Sequence, residues 1–146
     1  MKLNILILLL VVASLNVFSQ IKEENNENIH FAIIEKVPVY PGCNSKNNTR
    51  LKKCVSEKIQ EYVSKNYNIS IIQNSGLKSG NHKILVSFKI NKKGKTVDIK
   101  AKGSIPELEI EAIRVVNSLP IMEPGIHKGK KVNVLYSLPI KIQGAM

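Results

Sequence analysis

The side chains best suited to chemistry in this 146-residue chain are His30, His82 and His127, the cysteines Cys43 and Cys54, and the carboxylates Glu107, Glu109 and Glu111. The histidines fall in separate segments, and none has the i, i+4 or cysteine-paired spacing that builds a metal site. The three glutamates crowd the start of a predicted helix, where the helix dipole favours negative charge without any catalytic role. No nucleophile elbow, phosphate-binding glycine loop or second close pair of carboxylates is present. The expectation is a non-enzymatic protein with no cofactor and no metal, although catalytic groups far apart in sequence can converge in a fold. Binding chemistry remains: backbone groups along a strand edge, and lysines.

The two cysteines take their meaning from the leader. Lys2 precedes an apolar run from Leu3 to Phe18 that is broken by Ser14 and Asn16 and is shorter than the roughly 20 apolar residues that span a bilayer. It reads as a signal peptide, residues 1–19, cleaved after Ser19; an uncleaved inner-membrane anchor is the alternative. Export sends the pair to an oxidising compartment, the periplasm, so a Cys43–Cys54 disulfide is expected, with free thiols or half of a metal site as alternatives. Cleavage moves the formal charge from +11 to +10 through the loss of Lys2. Such a balance favours anionic envelope partners, and export makes nucleic acid an unfit one.

Residues 20–30 are polar and are expected to form a disordered lead-in to one domain, 31–146. Phe31 to Tyr40 is apolar and reads as a short extended or edge segment ended by Pro41-Gly42. Leu51, Val55, Ile59, Tyr62 and Val63 recur at helical spacing, which predicts a helix over about 50–66 with Thr49 as its cap. Residues 66–81 have no clear assignment. Ile84, Val86, Phe88 and Ile90, then Val97, Ile99 and Ala101, alternate on either side of Asn91-Lys-Lys-Gly94, a β-hairpin with a positive φ expected at Gly94. Phe88 and Val97 are expected on one face, under a second helix that carries Leu108, Ala112, Val115, Val116 and Leu119, that starts either at a Ser104–Glu107 capping box or with Pro106 as its first residue, and that Pro120 stops. A last strand, 131–142, contains Pro139, which belongs on an edge. These elements give an α+β fold: a small antiparallel sheet, hairpin plus C-terminal edge strand, packed against two helices.

Several of these segments, Glu111-Ala-Ile-Arg-Val-Val-Asn-Ser-Leu-Pro120, Glu123-Pro-Gly125, Gly129 to Ile140 and Val37 to Cys43, follow one another in an order that resembles the TonB C-terminal domain. The match runs from about Lys83 to Ile142, with looser agreement back to Val37. It departs where Asn66-Tyr67-Asn68 replaces the usual Tyr-Pro and where Met122 replaces an aromatic. Family transducers also carry an uncleaved membrane helix and a long spacer, whereas residues 20–30 could reach about 35–40 Å. The resemblance implies a module that receives a peptide of an outer-membrane transporter or other envelope protein as an added strand. The matching edge is Val132, Asn133, Val134, Leu135, Tyr136, Ser137 and Leu138.

On this reading Lys131 and Lys141, at the two ends of the strand, would favour an acidic guest. Homodimerisation through the same edge is a second outcome. A different class of function also follows from the lysines: between Gly76 and Pro106 only Asp98 opposes Lys78, Lys83, Lys89, Lys92, Lys93, Lys95, Lys100 and Lys102. That surface could hold anionic lipid or glycan, or it could simply solvate a sheet and blunt its edges.

Overall fold

The computed structural model describes residues 27–74 and 79–144. The expected leader and cleavage site, and most of the expected lead-in, lie outside them. Helix α1, Asn48–Asn66, starts one residue pair earlier than expected because Asn47, not Thr49, caps it: the Asn47 side chain accepts from the Arg50 N–H at 3.0 Å. Both are good cap residues, and with Asn47 at the cap the helix begins at Asn48, whose side chain ties down other backbone. The Asn48 side chain donates to Ile34 O at 3.0 Å and accepts from Val37 N–H at 3.1 Å. Leu51, Val55, Ile59 and Val63, four apart, form the buried stripe. A short helix α2, Ser70–Asn74, follows within the previously unassigned stretch.

The hairpin joins β2, Gly80–Ile90, to β3, Thr96–Lys102. Gly94 has φ +78°, as the turn requires, and its N–H donates to Asn91 O at 2.8 Å. One expectation fails here. The register slips between Ser87 and Lys89, and Asp98 adopts φ +52°, so the strand carries a β-bulge. The extra residue reverses parity: Val97 pairs with Lys89 on the open face, while Ala101 pairs with Val86 on the helix-covered one.

Helix α3, Pro106–Asn117, has no side-chain cap, so the Ser104–Glu107 capping box does not form. Proline fits the first turn because its missing N–H has no intrahelical partner there. Glu109 instead reaches back to accept from Gly103 N–H at 2.8 Å. Leu108, Ala112, Val115 and Val116 are buried with Ile84, Val86, Phe88 and Ile90 of β2 in one core.

The last long strand is β6, Asn133–Gly144, after the two-residue strands β4, Ile126–His127, and β5, Lys130–Lys131, which pair with each other. β6 runs antiparallel to β2 from Val134 to Gly144. The sheet order is β1-β6-β2-β3, where β1 is Asn28–His30 and pairs parallel with Asn133, Val134 and Leu135. This corrects two expectations: residues 28–30 are a strand and not disordered lead-in, and the sheet is mixed, not purely antiparallel. Three residues satisfy their backbone there, with Ile29 packed on the core.

From β1 the chain wraps the molecule. Lys36 and Ile126 exchange two backbone hydrogen bonds, as do Val39 and Glu123. Gly125 permits this crossing, since a Cβ there would lie 2.6 Å from Val134 Cγ2 and 2.8 Å from Ile34 Cδ1. The wrap ends at the Cys43–Cys54 disulfide, which ties it to α1 with a Cα–Cα distance of 5.9 Å.

Candidate functional site

Backbone direction along β6 decides what this protein can offer a guest. Leu135 O accepts from Phe31 N–H at 3.0 Å, so residue 135 turns its peptide groups away from β2. Strand alternation then turns those of Ser137, Pro139, Lys141 and Gln143 outward too, and those of Val134, Tyr136, Leu138, Ile140 and Ile142 inward to β2. β1 ends at His30, so the outward groups from Ser137 to Gln143 have no strand beside them among the described residues. Pro139 falls at an outward position, where the missing N–H leaves the β2 ladder intact.

The expected edge of Val132 to Leu138 is therefore displaced. Val132 lies before β6, is buried, and donates its N–H to Gly125 O at 3.1 Å. Asn133, Val134 and Leu135 sit between β1 and β2 and are closed to a guest. Tyr136 and Leu138 are buried and face inward; Ser137 alone of the expected set is on the free edge. Lys131 belongs to β5, opposite Ile126, and does not flank that edge, whereas Lys141 lies on it and is exposed.

Beside the free edge runs a groove of about 290 Å³ lined by Val63, Ser64, Tyr67, Ile69 and the 140–143 stretch of β6. A smaller hollow of about 70 Å³ continues it past Gln60 to Pro139. Its helical wall was not anticipated. The signal was Ser56, Gln60 and Ser64, uncharged residues at successive turns on a helix surface that otherwise carries many lysines and glutamates.

Tyr67, where the resemblance departs from Tyr-Pro, fixes that wall. Its hydroxyl donates to Leu108 O at 2.8 Å, and burial, reinforced by the charge of Glu111, pushes its ionisation up. Glu111 is no mere dipole partner: it is buried and accepts from Asn68 N–H at 2.8 Å and from Arg114 Nε at 2.7 Å. The Arg114 hydrogen bond is the main reason its carboxyl sits below the usual range, against the opposing effect of burial. The C-terminal end of α1 is thus held to α3 by a phenol, a carboxylate and a guanidinium.

The other candidates stay apart. His82 Nδ1 lies 3.3 Å from Ser104 Oγ and His127 Nδ1 4.0 Å from Glu35 Oε1. No group of three or more His, Cys, Asp or Glu able to hold a metal ion occurs among the described residues. No described helix is long and apolar enough to cross a membrane.

Fold and groove together define a small α+β domain whose mixed sheet leaves half of one strand open beside a helix. Residues 81–141, from the start of the hairpin to the free edge, match the family described as Gram-negative bacterial TonB protein C-terminal. Over that stretch, less than half of the chain, the sequence is thus similar to the TonB C-terminal family, whose members are non-enzymatic protein-interaction modules of the Gram-negative envelope. Neither curated proteins nor solved structures give a match to this chain.

Proposed function

We propose that this protein is a periplasmic binding module that takes an extended peptide of an outer-membrane transporter, or of another envelope protein, as an added strand along Ser137–Gln143. The observation that carries the reading is the outward backbone of Ser137, Lys141 and Gln143 beside an apolar groove. A guest strand there gains main-chain hydrogen bonds for affinity and alternate side-chain pockets for selectivity. Side chains on the helix side would enter the groove against Tyr67 and Ile69. Those on the other side would pass Lys141. The preferred guest alternates apolar and acidic residues.

Ser137→Pro tests this, because it deletes an outward N–H and spares the inward ladder. A blocked peptide of about eight residues, alternating valine and glutamate, should bind the native protein and perturb the amide resonances of Ser137, Lys141 and Gln143. The variant should bind it at least about tenfold more weakly, the scale of one or two lost hydrogen bonds, with its melting temperature little changed. Equal affinity in a folded variant rejects edge pairing. Sedimentation of the free protein separates guest binding from self-pairing: a dimer dissociated by Ser137→Pro would mean that a second copy fills the edge.

A further inference from the structure

The sheet has a second exposed feature, its helix-free face. Strand register sorts the lysines of the sequence onto it in rows. Lys83 lies opposite Lys141; Leu85 lies between Pro139 and Lys102; Ser87 lies between Ser137 and Lys100; Lys89 lies between Leu135 and Val97. Paired residues point to one face, so Lys83, Lys89, Lys100, Lys102 and Lys141 share it. Asp98 is spent on Lys89, at 2.8 Å, and Lys83, Lys100, Lys102 and Lys141 have no ion-pair partner among the described residues. Leu85, half exposed, stands in the middle.

Edge protection alone does not account for this arrangement. Lys83, beyond the last β3 pair at Leu85, and Lys100, Lys102 and Lys141 all stand at edge positions where charges blunt pairing, yet Lys83 directly faces Lys141 and is repelled by it, a cost that blunting an edge with one charge would not incur. A face about 20 Å long, from the rise over Lys83 to Lys89, with spread cations and one apolar residue, complements a layer of phosphates better than a single compact ligand. Lysine serves phosphate as a point charge without demanding geometry.

We infer that this face docks on the phosphate headgroups of an anionic bilayer leaflet, with Leu85 at the interface. The edge groove is left open at its side, so the two activities are separable. The test uses the full chain and sedimentation with vesicles of equal parts phosphatidylglycerol and phosphatidylcholine, against phosphatidylcholine alone, at low salt. The readout is the ratio of the two partition coefficients; the apolar leader is common to every variant.

The native protein should prefer anionic vesicles at least about tenfold. Lys83→Ser/Lys100→Ser/Lys102→Ser should cut that ratio by up to about a hundredfold or abolish it, following the attraction of each lysine near such a surface. The triple variant Lys53→Ser/Lys58→Ser/Lys65→Ser, of equal charge change but on α1, should keep it. No preference in the native protein, or equal loss in both triples, overturns the inference. The face variant retains Ser137 and Lys141, so its peptide binding reports on the edge reading independently.

Discussion

At the scale of single residues, two glycines with similar backbones separate conformational strain from close packing. Gly42 has φ +88° and open space where a Cβ would stand, whereas Gly94 has φ +78° and a Cβ there would lie 1.6 Å from Met122 O. Gly42→Ala should therefore cost only the strain of a left-handed residue, about 1–2 kcal/mol. Gly94→Ala adds displacement of the 119–123 segment, whose Met122 N–H donates to Gly94 O at 3.0 Å. Urea midpoints should fall clearly further for Gly94→Ala; equal shifts would mean that the turn conformation alone makes glycine necessary. Glu111 gives a pH prediction of known sign. Its folded pKa is below its ordinary value of 4.5, chiefly through the Arg114 hydrogen bond, so its stabilisation is complete above that value and is lost as pH falls through the folded pKa. Glu111→Gln should flatten the stability loss below about pH 4.5. Glu61→Gln should do so less, since Glu61 is exposed on α1 and its two lysine partners are screened. An unchanged acid limb in Glu111→Gln would assign acid sensitivity to other carboxylates.

At the scale of elements, the β2–β6 ladder sets Lys83 against Lys141, a like-charge pair that works against the stability of the sheet. Lys141→Glu should stabilise the fold by about 0.2–1 kcal/mol, the usual worth of a cross-strand pair, and should weaken an acidic peptide at the adjacent edge. A thermal shift upward with unaltered peptide affinity would remove Lys141 from guest selection while leaving the ladder account intact. The hairpin and both long helices were legible in the sequence because their apolar periods, two and near four, reach across many residues. Pro139 correctly marked an edge, but a proline reports only the outward N–H at its own position and says nothing of Asn133–Leu135. β1 was illegible for a related reason: three residues in a polar stretch pair with a partner about a hundred positions away, and only Ile29 of them is apolar. The bulge was hidden because it rests on the left-handed conformation of Asp98, and one such residue inverts the face of Val97 without disturbing the alternation read from composition. The helical wall of the groove was missed because polar Gln60 and Ser64 look like ordinary solvent-facing positions until a strand edge is laid beside them.

At the scale of the whole molecule, the wrap from β1 to Cys43 decides how much of β6 is open. It is held at three places: the parallel pairing at Asn133–Leu135, the bridges of Lys36 and Val39 to Ile126 and Glu123, and the disulfide to α1. Phe31 adds an edge-on ring contact to Tyr136 with centroids 4.7 Å apart. Closing a loop between positions 43 and 54 stabilises the fold by about 3 kcal/mol in the chain-entropy model. For a domain of this size that corresponds to at least about 10 °C in Tm. Cys43→Ser/Cys54→Ser should therefore melt lower by that order while remaining folded at 25 °C, because the apolar stripe of α1 is untouched. Hydrogen exchange shows where the loss falls. The Lys36 and Val39 amides, bonded to Ile126 and Glu123 across the wrap, should lose protection first, while the inward amides of β2 and β6 exchange only with global unfolding. Uniform loss of protection over the whole chain would instead mean that the disulfide acts on the unfolded ensemble alone and that the wrap does not open as a unit. If the wrap does open locally, Asn133 and Leu135 become outward donors contiguous with Ser137. The cysteine-free variant should then bind the valine–glutamate peptide more tightly than the native protein, which makes the length of free edge a quantity that the wrap controls.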